Sequence, residues 1–224
     1  LFITVIGYSQ DKGYISLSAG PSFPTGDFGS KDVNNNAAGF ATTGAIFDFS
    51  FAQKFGKNFG MTLMLRGQAN GVDTDPLINE LAAEAPEASW SAETENWTIG
   101  GFLGGIYGSF PMGASGKVTF DTRAMIGYLN ATSPQITLYG IYQGTTFWVN
   151  TESASAGAFA YLLGAGFRFN FGNHFCVLTN FDYLGATPEF YEVATTSSIG
   201  TYETNTYQQK FGTANVGVGI GWRW

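Results

Sequence analysis

Residues able to do acid–base, nucleophilic or metal chemistry are few and poorly grouped. The one histidine, His174, and the one cysteine, Cys176, sit in a short segment rich in Gly and Asn. A single cysteine excludes an intramolecular disulfide framework and a Cys-rich zinc site. The run Asp32-Val-Asn34-Asn-Asn36 begins like a calcium loop, yet Ala37 stands where the turn needs glycine and no Glu closes the twelfth position. Glu189 and Glu192 could pair for glycoside hydrolysis, although solvated loop charge is the commoner meaning of such a pair. Gly100-Gly101-Phe-Leu-Gly104-Gly105 lacks a helix pattern after it, so a dinucleotide reading fails and strand glycines are the better account. The sequons Asn96-Trp-Thr98 and Asn130-Ala-Thr132 read as accidental. No cofactor motif emerges, and the chain is expected to be non-enzymatic.

The remaining chemistry is charge, and its placement depends on the elements that carry it. The chain has 224 residues, 44% hydrophobic, 17% aromatic and only 12% charged, with 31 glycines. Soluble domains average about 25% charged residues, and disorder needs few aromatics and dense charge. A net charge of −7 opposes nucleic-acid binding, which needs a basic face. No run of 18 apolar residues supplies a transmembrane helix. A closed barrel is the one other backbone that satisfies its hydrogen bonds in lipid.

Several segments alternate as a wall between lipid and a polar interior must. In 157–171, Phe159, Tyr161, Leu163, Phe167 and Phe169 share one face, opposite Ala158, Ala160, Gly164, Arg168 and Asn170. The same reading sets Phe47, Phe49 and Phe51 against Asp48 and Ser50, and Met61, Leu63 and Leu65 against Thr62 and Arg66. It sets Phe120, Ile126 and Tyr128 against Asp121 and Arg123, and Phe175, Phe181 and Tyr183 against Cys176 and Asp182. The last segment opposes Val216, Val218, Ile220, Trp222 and Trp224 to Asn215, glycines and Arg223, while 97–110 is ambiguous in phase. Short turns at 55–58, 111–116 and 172–174 alternate with long stretches near 21–38, 70–96, 130–156 and 185–208. Eight strands joined by three tight turns at one end and four long loops at the other make an all-β, antiparallel, up-and-down transmembrane barrel. Phe55, Phe59, Phe110, Phe171, Phe175, Trp222 and Trp224 are expected at the short-turn rim, and Trp97, Tyr128, Tyr161 and Tyr183 at the other.

On these residues the chain resembles the small eight-stranded outer-membrane barrels of the OmpA/OmpX type, porin-like proteins of the Gram-negative cell envelope, across 13–224. The ending Gly217-Val-Gly219-Ile-Gly-Trp222-Arg-Trp224 resembles the assembly signal of such barrels, departing from the pattern at Gly217. The resemblance implies a bacterial outer-membrane location with both termini periplasmic, contact with outer-membrane lipid, and recognition by the barrel-assembly machinery. Enzymes built on such barrels place a His with Ser and an acid at the outer rim, whereas His174 lies in a turn at the opposite end. Residues 1–9 read as the remnant of a signal peptide, with Ser9 before the cleavage point and an N-terminal strand as the alternative. Residues 10–224 are then the barrel domain.

A lumen formed by eight strands is just wide enough for side chains to fill. The alternation points Asp48, Asp121 and Asp182, with Arg66, Arg123 and Arg168, into it. Unpaired charge there is costly, so a paired Asp/Arg network that plugs the lumen is expected; a narrow gated ion path lined by those charges is the alternative. The long stretches hold thirteen of the 17 acids and one base, Lys31. In them, Leu77, Ile78 and Leu81 sit at helical spacing after Pro76, for packing over the barrel mouth or for docking. The third stretch, with Tyr139, Tyr142, Phe147 and Trp148, is expected to extend its flanking strands as a hairpin, with protein contact as its other use. The function these features suggest is structural or interactive, alone or as an accessory subunit of an envelope complex, with a narrow pore and an outer-leaflet lipid or glycan enzyme as alternatives.

Overall fold

The computed structural model describes residues 12–113, 116–200 and 202–224, so the expectation for residues 1–9 lies outside the described residues. Eight long strands close into a ring: β1 (Gly13–Pro24), β2 (Ala41–Lys54), β3 (Phe59–Val72), β5 (Trp97–Met112), β6 (Val118–Thr132), β9 (Ser155–Phe171), β10 (Phe175–Ala186) and β13 (Phe211–Arg223). Five shorter strands lie in the long connections: β4 (Ser89–Thr94), β7 (Ile136–Tyr142), β8 (Thr145–Thr151), β11 (Glu189–Ser197) and β12 (Tyr202–Gln208). Around the ring the eight strands follow chain order, and β1 closes on β13 in antiparallel register from Tyr14↔Arg223 to Pro24↔Thr213. Closure removes the exposed edges that an open sheet would carry into lipid.

Each wall strand has 12 to 17 residues, more than the roughly 9–11 that cross a bilayer at a tilt. The excess projects beyond the apolar zone. Burial alternates along the wall, with Phe47, Leu63, Ile126, Phe159, Leu163 and Ile220 exposed and Asp48, Thr62, Met125, Ala160 and Leu162 buried. The ambiguous segment also takes one phase, since Phe102 and Ile106 face outward while Ile99, Leu103 and Tyr107 fill the lumen. Its register against β3 and β6 fixes that choice, because Leu65 and Tyr128, both outward, stand opposite Phe102. Trp97 shares the inward phase and is buried rather than at the rim, which corrects the expectation of an aromatic in lipid contact there.

The third long connection carries β6 and β9 onward as the expected hairpin, Thr132↔Ser155 being followed in the same register by Ile136↔Thr151 after a short break. Pro134 interrupts the ladder, and Ser133 and Ala154 clamp the crossing point, the Ala154 N–H donating to Ser133 Oγ at 2.9 Å. Beyond it, β7 and β8 form a hairpin whose two-residue turn, Gln143-Gly144, has both φ angles positive, at 49° and 78°. That geometry matches the twist of the flanking strands. The hairpin pairs sideways with β4 from the second connection and with β11 from the fourth, giving a five-stranded sheet in the order β12-β11-β8-β7-β4. Three connections therefore build one sheet at the long-loop end.

Helix α1 (Asp75–Glu84) starts with Pro76 in its first turn, where a missing N–H costs nothing. Its apolar residues Leu77, Ile78 and Leu81 are half-buried, and its contacts run to β4. The helix leans on its own connection instead of roofing the barrel, which corrects the expectation of packing over the mouth. That position is held by Phe28, Trp97, Phe190 and Phe211. Lys31 ties the first connection to the second through an ion pair with Asp73 and holds that carboxyl below its ordinary range.

Candidate functional site

The lumen is filled in layers. At the short-turn end Tyr14, Ala52, Tyr107, Cys176 and Leu178 form a small buried cluster. The Tyr14 and Tyr107 rings meet edge to face at 5.8 Å, and the Arg168 guanidinium lies 4.8 Å from the Tyr14 ring centre, a cation over a π face in a desolvated site. Arg168 Nε donates to Asp121 Oδ2 at 3.0 Å and its Nη2 to Ser109 Oγ at 2.9 Å. Arg168 on β9 and Asp121 on β6 are near-opposed across adjacent strands, since Asp121 pairs with Gly166.

Mid-lumen holds the second group. Asp48 and Arg66 are direct cross-strand partners, and Arg66 grips Asp48 through Nε and Nη2, both at 2.7 Å. The same guanidinium reaches Asp182 at 2.9 and 3.1 Å. In the ring order β3 and β10 stand four strands apart in either direction, so this bond spans the lumen diameter. Asp182 also accepts from Arg123 Nη2 at 2.7 Å and from Asn215 Nδ2 at 3.0 Å. Each carboxylate of the pair thus meets several donors, the condition under which buried charge is tolerated.

Gly164 explains how Arg123 reaches its partner. It stands opposite Arg123 on one side and Asp182 on the other, and a Cβ added there would come within 2.9 Å of both Arg123 Nε and Asp182 Cβ. The missing side chain is the corridor for the guanidinium. Gly164→Val is expected to displace Arg123 and lower stability by about 1–3 kcal/mol, as overpacking does. Urea unfolding in detergent micelles measures it; an unchanged midpoint would show that Arg123 has another route.

The six predicted charges all lie in the lumen, in two groups rather than one network, and Arg223, also turned inward, donates to the Gly172 carbonyl at 3.0 Å at the short-turn end. Reading the sequence set Asn215 inward but did not assign it, Tyr107 or Ser109 to the hydrogen bonding they complete, nor Tyr14 to the cation–π contact with Arg168. It also missed the cap at the long-loop end, where Phe28 packs edge to face on Phe211 at 4.4 Å and on Trp97 at 5.7 Å. Trp97 Nε1 donates to the Gly39 carbonyl at 2.9 Å. A bulge between Phe190 and Val193 lets both residues turn inward, although their spacing would put them on opposite faces of a regular strand.

Of the terminal residues, Gly219 is inward and Trp222 and Trp224 are outward on β13. Trp222 stacks flat on His174 at 4.8 Å and meets Phe175 edge-on at 5.0 Å, and Trp224 stacks on Phe51 at 5.7 Å. His174 is thereby held as a packing residue of the rim, its Nδ1 3.1 Å from the Arg223 carbonyl.

The loop aromatics divide between the two faces of the five-stranded sheet. Phe147 packs edge to face on Trp90 at 5.3 Å across Gly140, whose lack of a side chain makes room for the ring, and Tyr142 shares that face by register. The opposite face presents Tyr139, Ile141, Trp148 and Tyr202 together, with Tyr139 donating to Glu93 at 3.3 Å. The strands of this sheet contain no Lys or Arg.

Among the described residues no helix is long and apolar enough to cross a membrane, and no group of His, Cys, Asp and Glu is arranged to hold a metal. Neither a protein-family model nor a curated protein matches the chain. Solved structures of bacterial outer-membrane proteins do. A major outer membrane protein from Thermus thermophilus is 9% identical with a TM-score of 0.50, over 95% of this chain and 99% of that one. Ail, the attachment invasion locus protein of Yersinia pestis, is 14% identical with a TM-score of 0.45 over 95% and 99%. Neisserial surface protein A is 8% identical with a TM-score of 0.44 over 95% and 97%. At these identities the likeness speaks to the fold alone. The closed ring and its apolar exterior define a small eight-stranded β-barrel of the fold seen in bacterial outer-membrane proteins.

Proposed function

We propose that the chain is a non-enzymatic interaction protein of the bacterial outer membrane, with a closed lumen, a periplasmic short-turn end and an extracellular sheet that contacts a partner. The carrying observation is that three separate connections converge on one five-stranded sheet, with Tyr139, Ile141, Trp148 and Tyr202 on a single face. Loops that served only to join strands would have no need to pair with one another. Aromatic side chains offer large contact area at low entropic cost. The surrounding acids and absent bases favour a partner surface rich in Lys and Arg.

The orientation follows from the same features, since long connections project outward in such barrels and short turns face the periplasm. Under this reading the terminal strand with Gly219, Trp222 and Trp224 is what the assembly machinery binds during insertion. The bond across the lumen diameter opposes the porin-like alternative, because any ion path would have to part Arg66 from Asp182.

Photo-cross-linking in cells tests the proposal. A photoreactive residue at Trp148 is expected to give an adduct of discrete mass at the surface of a Gram-negative cell, and one at Tyr142, on the other face, is not. An absence of adducts from positions 139, 148 and 202 alike would sink the interaction reading.

A further inference from the structure

The outer wall formed by β9, β10 and β13 is not smooth. Near the long-loop end it carries a groove of about 590 Å³ whose lining includes Thr25, Tyr161, Tyr183, Gly185, Lys210 and Gly212. Directly continuous with it through Tyr183 is a second trough of about 520 Å³, lined by Phe23, Leu163, Phe181, Ala214 and Val216 among others. The first is rimmed by polar groups and the second is apolar, and both open on the lipid-facing side, since Tyr161, Leu163, Phe181 and Tyr183 belong to the outward set.

At the floor of the groove two glycines stand side by side and let the tyrosine side chains lie close against the wall. Gly185 and Gly212 are cross-strand partners. A Cβ on Gly185 would run into the Tyr161 ring, and one on Gly212 would run into the Tyr183 hydroxyl and Thr25 Oγ1. The tyrosine hydroxyls, Thr25 Oγ1 and the Lys210 ammonium are therefore gathered at the rim. Lys210 is the exposed cation of this wall, its side chain 72% accessible, and its ion pair with Asp27 is loose at 3.6 Å. Asp27 is held in place by the 3-10 turn Gly26–Gly29, which the Thr25 N–H anchors to the Gly212 carbonyl at 2.8 Å.

We propose that this wall binds one phosphorylated lipid of the leaflet at the long-loop end, its phosphate at Lys210 with the hydroxyls of Thr25 and Tyr183, and an acyl chain in the apolar trough below. Charge complementarity selects the headgroup. In a chain whose long connections carry thirteen acids against one base, Lys31, an ammonium placed at the lipid boundary beside several hydroxyl donors suits a phosphate oxygen. The vertical order of polar groove over apolar trough matches the order of headgroup and chain in a leaflet, which a soluble anion would not require. Tyrosine rings at this depth place an apolar body in lipid and a polar tip in water.

The full chain in a neutral detergent, with phosphatidic acid, diacylglycerol or phosphatidylcholine added, tests this by native mass spectrometry of retained lipid. Wild-type protein is expected to retain phosphatidic acid in preference to the other two. Lys210→Gln, an exposed and conservative change, is expected to lower phosphatidic acid retention about fivefold while leaving diacylglycerol unchanged, the effect of one cation near a phosphate. Asp27→Asn frees the ammonium and is expected to raise retention. Ala214→Trp fills the trough and is expected to reduce every lipid, whereas Leu63→Ala on the opposite wall changes none. Equal phosphatidic acid retention by wild type and Lys210→Gln overturns the proposal, as does equal loss from Leu63→Ala. Complete displacement of the lipid by inorganic phosphate would also overturn it, by assigning a simple anion site.

Discussion

Replacing Arg66 with alanine is expected to destabilise the barrel by about 3–5 kcal/mol, the cost of leaving buried charge without its partner. The guanidinium is fully buried and joins Asp48 on the neighbouring strand to Asp182 on the far side of the lumen. Its loss strips Asp48 of both hydrogen bonds made to it by Arg66, while Asp182 retains Arg123 and Asn215. The penalty therefore falls mostly on Asp48. Adding Asp48→Ala to Arg66→Ala is expected to recover part of the loss, since the stranded carboxylate is then gone. A double-mutant cycle on this pair should return a coupling of about 1–3 kcal/mol. Reversible urea unfolding in micelles, followed by tryptophan fluorescence, supplies both numbers. A loss below about 1 kcal/mol for Arg66→Ala would mean that water reaches Asp48 and that the mid-lumen is not dry.

The second large effect is expected at the cap. Phe28→Ala removes a ring with no exposure, in edge-to-face contact with Trp97 and Phe211, at a cost of about 3–5 kcal/mol for a buried aromatic truncated to a methyl group. The change is also local, because Phe28 pins the first long connection into the barrel mouth. Amide exchange across residues 26–39 should quicken, and the Trp97 indole N–H that donates to Gly39 should lose protection. Tyr202→Ala, at a residue 68% exposed on the far sheet, is expected to stay within about 0.5 kcal/mol. Similar losses at both positions would show that the cap is no better packed than the sheet.

The wall was legible in the sequence because a barrel between lipid and a polar lumen imposes a period of two on each strand. Phe159 and Ala160, or Asp48 and Phe49, could not exchange places without putting charge in lipid or a ring in the lumen. The 97–110 segment resisted that reading because its lumen face is itself apolar, from Trp97 in the cap through Ile99 and Leu103 to Tyr107 at the short-turn end, and only pairing with β3 and β6 sets its phase. That the six charges would face inward followed from alternation, but which Arg meets which Asp did not. Arg66 spans the diameter, and Arg123 crosses a strand through the space left by Gly164, relations that no linear spacing encodes. The long-loop sheet was hidden for a similar reason. Ser89 pairs with Ile141 and Thr151 with Thr195, so its ladders join residues from three different connections. The bulge that turns both Phe190 and Val193 inward breaks the very period on which the reading rested.

The central claim is that the lumen is shut by side chains, with Arg66 bonded across it to Asp182. Single-molecule current recording in planar bilayers at molar salt tests this most directly, with insertion confirmed optically by a dye on a cysteine placed in the β7–β8 turn. The account predicts that inserted wild-type barrels pass no stepwise current. Uniform, persistent conductance steps appearing with each inserted molecule would contradict it and make the charged lumen a path for ions.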